Sequence, residues 1–261
     1  MRESEAIRAA SDRLWRSAES GQTCEPVRDV LGIKDLNQAY AAQELNTQKK
    51  LAAGDRVVGY KIGLTSEAVQ KQLGVDQPDF GVLTEKMLVE RNTISFDQLM
   101  QPKAEAEIAF ILSKDITDAN ITLDQLAASI DYACASIEIV GSRIRDWDIR
   151  ITDTIADNAS ASHFVLGTEK VSLEQLDLIG CSMSMSKNDV VASEGVGAAC
   201  LGNPLIAAQW LVRKMIEMGS PLQKGHIILA GALGPMVKIE PGDVFDANIE
   251  GLGNVHVQVS N

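Results

Sequence analysis

Three glutamates stand where strand-like sequence makes a carboxylate expensive. In the run from Lys103 to Leu112, Glu105 and Glu107 are two residues apart, and Glu138 lies between Ile137 and Ile139. Side chains alternate along a strand, so Glu105 and Glu107 point to one face. Two steps of about 3.3 Å put their Cβ atoms ~7 Å apart. An ionised carboxylate among apolar strand residues is costly unless it is paired or metal-bound. On pattern alone two readings stay open. Glu105 and Glu107 could occupy a solvated strand end while Glu138 pairs with an arginine such as Arg143, or the three could converge on a cation. An all-oxygen set would favour Mg²⁺ or Mn²⁺ over zinc, which prefers nitrogen and sulfur.

Competing chemistry is weakly signalled. His163, His226 and His256 are isolated, without ligand spacing, and read as structural or exposed. No Gly-x-Ser-x-Gly marks a nucleophilic serine. Gly195-Val-Gly197 lacks the rest of a dinucleotide fingerprint and reads as a turn. Cys24, Cys134, Cys181 and Cys200 form no Cys-x-x-Cys pair, so buried thiols in a reducing compartment are expected.

These side chains need elements to carry them. Ile7, Ala10, Leu14 and Ala18 recur at spacings of three and four, predicting one amphipathic helix. A second helix is expected from near Asp35, through Leu36, Tyr40 and Leu45, to Gly54, after a polar connector. From Arg56 the texture turns to strands: residues 57–63, 104–112, with Ala106, Ile108, Phe110 and Leu112 on one face, and 135–140. A short helix over residues 66–73 should stop at Gly74. Thr122-Leu-Asp-Gln125 looks like a capping box, opening a helix that buries Leu123, Leu126, Ala127 and Ile130. Residues 172–176 suggest another short helix, and Lys187-Asn-Asp189 a hairpin. Asn203 and Pro204 should open a long helix that Gly219 ends. The last forty residues read as strands, with a turn at Pro241-Gly-Asp243 and alternation through Val255, Val257 and Val259. The expectation is an α+β fold, a helical N-terminal segment over residues 1–54 packed on a mixed β-rich core over 55–261, as one compact unit.

Bulk properties restrict the function classes. The 261 residues carry a net charge of −12 spread along the chain, which argues against nucleic acid or an anionic membrane as main partner. The N-terminal stretch is charged and amphipathic, without a signal-peptide core, and no run approaches ~18 uninterrupted apolar residues. The cytoplasm is the expected location.

A resemblance adds to this. Gly59-Tyr-Lys-Ile-Gly-Leu-Thr65, Gly74-Val-Asp-Gln-Pro-Asp-Phe-Gly81, Gln101-Pro-Lys-Ala-Glu-Ala-Glu107 and Glu138-Ile-Val-Gly-Ser-Arg-Ile-Arg-Asp-Trp147 occur in order. Asp153-Thr-Ile-Ala-Asp-Asn-Ala-Ser160, Leu201-Gly-Asn-Pro204 and Gly231-Ala-Leu-Gly-Pro235 follow. Together they resemble the 2-hydroxypenta-2,4-dienoate (2-keto-4-pentenoate) hydratases of the fumarylacetoacetate-hydrolase-like superfamily, over residues 55–260. The resemblance implies a twisted, barrel-like β core, Mg²⁺ or Mn²⁺ held by Glu105, Glu107 and Glu138, polar active-site roles for Lys61 and Asp79, and a place beside the substrate for Ser160. Without it, Lys61 in a strand and Asp79 in a loop would read as surface charges. It also implies a homo-oligomer, pentameric or decameric, with a complex with a sibling decarboxylase or a downstream aldolase as a further possibility. The implied reaction adds water to a small unsaturated 2-oxo acid, in meta-cleavage catabolism of aromatic compounds. The sibling 4-oxalocrotonate (2-oxo-3-hexenedioate) decarboxylases share the glutamates, the lysine and the Ala-Asp-Asn-Ala-Ser run. The segments Ser142–Trp147 and Gly231–Met236 resemble the hydratase branch more closely. Asn203 departs from the histidine that many relatives carry after Leu-Gly, which puts a side-chain role there in doubt. A C–C hydrolase of acylpyruvates, as elsewhere in the superfamily, is a third reading, and a non-catalytic partner subunit that stabilises a sibling decarboxylase is one of a different class, against which the intact set of polar residues argues.

Overall fold

The computed structural model describes residues 3–28, 36–66, 70–71 and 75–261. Asp35 and most of the helix expected over residues 66–73, with its stop at Gly74, lie outside the described residues.

Two helices come first, α1 (Glu3–Ser20) and α2 (Leu36–Ala52), packed on each other. Ala10 and Leu14 are buried as the stripe predicts, but Ser17, not Ala18, continues it. The Ser17 hydroxyl is satisfied there by donating to the Gln22 carbonyl at 2.7 Å, which removes the usual objection to burying a serine.

The strands that matter for the site are β1 (Val57–Gly63), β2 (Asp79–Thr84), β4 (Lys103–Leu112), β5 (Ile130–Val140), β6 (Ala161–Leu166) and β9 (Ile227–Ala232), with β3 (Thr93–Ser95) between β2 and β4. All but β3 join, with the short β10 (Val237–Lys238) paired beside β4, in a seven-stranded sheet in the order β2-β1-β9-β4-β5-β6. β1 and β9 run parallel; the other pairs in this order are antiparallel. β4 and β5 are buried on both faces, so they read as near-continuous apolar runs. The capping box at Thr122 forms as expected, but its helix α3 (Leu123–Ala127) is a single turn. Ile130, expected on that helix, is the first residue of β5.

Curvature is what makes this sheet a container. In a flat sheet the edge strands β2 and β6, five strand spacings apart, would be separated by ~24 Å, yet they contact each other. The sheet is therefore curled into a half-barrel. Leu83, Ala109, Ile111, Cys134, Phe164, Ile227 and Leu229 fill the inside, on the same strand parity as Glu105 and Glu107. The opposite faces of β4 and β5 join the main core, to which α1, α2 and the second sheet contribute. The seam between the β2 and β6 edges is bridged by Val89, whose N–H donates to the Phe164 carbonyl at 2.9 Å.

The second sheet, β3-β12-β11-β7-β8, comprises β7 (Ser182–Lys187), β8 (Val190–Val196), β11 (Val244–Ile249) and β12 (Gly253–Ser260) besides β3. The hairpin between β7 and β8 turns through Asn188 and Asp189, both at positive φ (53° and 65°), the geometry two-residue hairpins favour. Gly195-Val-Gly197 is not a turn. Gly195 and Val196 belong to β8, and a Cβ on either glycine would overlap a neighbouring carbonyl, of Leu233 or Leu178. Close backbone approach explains both glycines. The short α4 (Ile151–Ala156) packs on α2, and α5 (Pro204–Glu217), capped by Asn203 and followed by Gly219 at φ 74°, packs on β9. Among the described residues, no helix is long and apolar enough to cross a membrane.

Candidate active site

Strand register decides what meets at the mouth of the half-barrel. Glu105 of β4 lies opposite Glu138 of β5, and Glu107 is two residues along the same face. The antiparallel ladder thus turns a sequence separation of over thirty residues into a direct cross-strand pair. One carboxylate oxygen of each glutamate lies within 4.8 Å of the others. Glu107 and Glu138 are buried and Glu105 is half-buried, so the reading of a solvated strand end does not hold. Nor does Arg143 serve Glu138. It pairs with Asp157 instead, donating also to the Ala161 carbonyl.

The cation beside Glu138 is Lys61. Its Nζ lies 3.2 Å from Glu138 Oε2 and donates to the Ala159 carbonyl at 3.0 Å. Lys61 is 3% exposed and Asp79 1% exposed, so neither is a surface charge. Asp79 is not in a loop either: it opens β2, paired with Gly63 of β1. The missing side chain of Gly63 makes room for it, since a Cβ there would overlap Asp79 Oδ1 and come 3.5 Å from Lys61 Nζ. Lys61 and Asp79 therefore share one small volume.

Hydroxyls link this pair to the next segment. Thr154, buried on α4, donates to Asp79 Oδ2 at 3.3 Å, and its Oγ1 lies 3.5 Å from Ser160 Oγ. Ser160 is thereby brought to the Asp79 side of the site. Glu107 Oε2 accepts from the Gly231 N–H at 3.0 Å, and Ser136 holds the Glu107 carbonyl at 2.9 Å. Gly231 has φ 117°, a conformation that suits glycine. The sequence shows Thr154, Gly63 and Gly231 only as members of longer runs, because the contacts that give them a place cross from one strand or helix to another.

The electrostatics are strongly coupled. Burial raises the pKa of all three glutamates above its ordinary value, and for Glu107 the charges of Glu138 and Glu105 raise it further. Glu138 is pushed up to about 7 by burial, with Lys61 opposing the rise. Burial also raises Asp79, against the pull of Lys61 and Thr154. For Lys61 burial alone would lower the pKa, but Glu138, Glu105 and Asp79 outweigh it, and the net shift is upward. Lys61 stays an ammonium.

Without another cation the site is under-neutralised. Both oxygens of Glu138, and Asp79 Oδ1, are buried with no hydrogen-bond partner, and the contact with Lys61 does not reach hydrogen-bond alignment. Orphaned buried carboxylate oxygens are costly. A hard divalent cation accepts oxygens at this spacing and supplies the missing charge, so Glu105, Glu107 and Glu138 fit one. The histidines do not compete: the His163 and His226 rings are half-buried away from the glutamates, and His256 pairs with Asp246 on the surface at 2.7 Å. All four cysteines are free thiols, Cys24 half-buried and the others buried.

Comparison with known proteins agrees with this architecture. The chain is 53% identical over 251 residues to the TodF product hydratase of Pseudomonas putida F1, covering 96% of this chain and 94% of that protein. It is 52% identical over 248 residues to 2-keto-4-pentenoate hydratase 1 of Dechloromonas aromatica, covering 95% and 94%. Among solved structures it is similar to 4-oxalocrotonate decarboxylase from Pseudomonas putida G7, complexed with magnesium and adipate. The TM-score is 0.94 at 29% identity, with 99% of this chain and 98% of that chain covered. Residues 42–260 match the fumarylacetoacetate (FAA) hydrolase C-terminal family, from within α2 to the last strand, and the chain belongs to that family.

Proposed function

We propose that the protein is a divalent-metal-dependent hydratase that adds water to 2-hydroxypenta-2,4-dienoate (2-keto-4-pentenoate) or a close analogue, giving 4-hydroxy-2-oxopentanoate. The observation that carries this reading is the buried cluster of Glu105, Glu107, Glu138, Lys61 and Asp79, in a chain about half identical over nearly its whole length to proteins named 2-keto-4-pentenoate hydratase. Those names also support a place in meta-cleavage catabolism of aromatic compounds.

Glu105, Glu107 and Glu138 would hold Mg²⁺ or Mn²⁺. A cation bound there would supply Lewis acidity to the 2-oxo acid substrate. The reaction needs a proton delivered at C5 as the 2-hydroxyl proton is lost, giving the conjugated ketone, and then a water that adds its oxygen at C4, giving up one proton while C3 takes one up. Lys61 and Asp79 are the acid–base pair for those steps. Burial lets Asp79 hold a proton at higher pH than an exposed aspartate. Lys61, charged and wedged between Glu138 and the Ala159 carbonyl, also offsets the negative charge that an anionic substrate adds. Ser160, beside Thr154, offers the substrate a hydroxyl. The active form is proposed to be a homo-oligomer.

One test separates this from the second reading, which the likeness to 4-oxalocrotonate decarboxylase favours. Protein supplied with Mg²⁺ or Mn²⁺ should bleach the dienoate absorbance and yield 4-hydroxy-2-oxopentanoate without gas release. Stoichiometric CO₂ from 2-oxo-3-hexenedioate, with no hydration of the dienoate, would make it a decarboxylase.

A further inference from the structure

Gly81 stands directly opposite Lys61 on the β1–β2 ladder. With no side chain, it leaves a gap over β2, and the turn at residues 157–160 fills it: a Cβ on Gly81 would overlap the Asn158 carbonyl oxygen. The Asn158 carboxamide then pairs with β2 in both directions. Its Oδ1 accepts from the Val82 N–H at 2.7 Å and its Nδ2 donates to the Val82 carbonyl at 2.9 Å. This side chain supplies the rung that a neighbouring strand would otherwise provide. One residue on, the Ala159 carbonyl accepts from Lys61 Nζ at 3.0 Å.

The backbone that achieves this is unfavourable by itself. Asn158, Ala159 and Ser160 are consecutive residues at positive φ, 58°, 50° and 57°. Asparagine tolerates that region through its short polar side chain, but Ala159 has no such compensation. Such a turn persists only where its surroundings over-determine it, and strained segments of this kind cluster at functional sites. Here the bidentate pair between Asn158 and Val82 ties the turn to β2, while the Gly141 N–H holds its other end at the Ser160 carbonyl at 2.8 Å.

We propose that Asn158 is a positioning residue for Lys61: by splinting the left-handed turn to β2 over Gly81, it holds the Ala159 carbonyl on the Lys61 ammonium. The inference rests on the proposed role of Lys61 in hydration. Lys61 has a flexible four-carbon stem and two anchors, Glu138 and the Ala159 carbonyl. The carboxylate is the one a metal would engage, so the carbonyl is the anchor that stays with Lys61 throughout. A backbone acceptor held by Asn158 fixes the ammonium independently of the carboxylates.

The test uses Mn²⁺-loaded wild type, Asn158→Ala, which removes both bonds to Val82, and Asn158→Asp, which keeps the acceptor and loses the donor. Steady-state hydration of the dienoate is paired with reductive methylation of Lys61, followed by peptide mass spectrometry; circular dichroism checks the fold. In Asn158→Ala, kcat should fall about 10²-fold, as for a misplaced catalytic group, with KM within about threefold. Lys61 should be methylated at least about tenfold faster, since losing the side-chain partner frees the turn. Asn158→Asp should fall between, and it decides the matter if the alanine variant does not fold. A folded variant with kcat within about threefold of wild type, or with lowered kcat but unchanged Lys61 methylation, overturns the proposal. If wild type hydrates nothing, the hydratase reading fails by itself and the methylation rates decide: faster supports the positioning role, unchanged overturns it.

Discussion

At the residue scale the site is a problem of charge. Four carboxylates, Glu105, Glu107, Glu138 and Asp79, crowd around one ammonium, Lys61, in a place water reaches poorly. Replacing Lys61 by methionine keeps the length and removes the charge. We expect Lys61→Met to fold, to bind Mn²⁺ no more weakly than wild type, because a neighbouring positive charge is gone, and to lose about 10²–10⁴-fold in kcat. Activity within threefold of wild type would exclude Lys61 from proton transfer. Metal affinity should depend steeply on pH. A cation binds the glutamates only by displacing their protons, and burial with mutual repulsion raises their metal-free pKa values, that of Glu138 to about 7. Affinity for Mn²⁺ should therefore fall as the pH drops below about 7, earlier than for exposed glutamates, whose pKa is about 4.3. Calorimetric titration at several pH values, on wild type and the single Glu→Gln variants at 105, 107 and 138, measures this. Three variants that bind as tightly as wild type and remain fully active would remove the triad from the metal site.

At the element scale, glycines in strands make the space that polar groups occupy. Gly63 opposes Asp79 on the β1–β2 ladder, and its missing side chain is the room that Asp79 Oδ1 takes. Gly63→Ala should leave the ladder intact, because the obstruction is the movable end of a side chain rather than backbone. Its cost should appear in catalysis: kcat lower by about tenfold or more from displacement of Asp79, with a melting temperature close to wild type. Unchanged kcat in this variant would mean that Asp79 does not act from the position seen here. Gly59 is a contrast. A Cβ there would overlap the Ile227 backbone across the parallel β1–β9 pair, so alanine at 59 damages the sheet itself.

At the scale of the whole molecule, a half-buried histidine beside the seam of the half-barrel links stability to pH. His163, on β6 at the seam, has its pKa pushed down to about 4 by burial, then by Lys50 and Arg143. It is neutral in the fold, whereas the unfolded chain takes up the proton near pH 6.5. Between those values the unfolded state binds more protons, so stability is fully present above about 6.5 and is lost as the pH falls toward about 4. The loss is at most about 3 kcal/mol. Denaturant unfolding of wild type and His163→Gln at pH 8 and pH 5 tests it, because the glutamates, whose raised pKa values act in the opposite direction, are common to both proteins. Because pH 5 lies inside that window, the gap between the two pH values should be smaller in the variant by about 2 kcal/mol. An equal gap would show that His163 is protonated in the fold.

Much of this protein is legible in its sequence wherever the cause is local. The caps at Thr122 and Asn203, the turn at Gly242, the alternation of β12 and the shared face of Glu105 and Glu107 follow from neighbours in sequence, since backbone geometry acts over a few residues. The grouping of the three glutamates with Lys61 and Asp79 entered through resemblance to a family, not through spacing. Local sequence misleads where the deciding partner lies far along the chain. Ile130 continues the apolar pattern of α3, but pairing with Leu112 draws it into β5. Asp79 follows a proline and reads as loop until Gly63 pairs with it. Arg143 is the nearest arginine in sequence to Glu138, yet the curl of the sheet delivers Lys61 to Glu138 and leaves Arg143 to Asp157. That curl, and the left-handed turn that Asn158 ties to Val82, belong to tertiary structure alone. Both arise from burying one sheet face against itself, a condition met only when strands distant in sequence have already found their register.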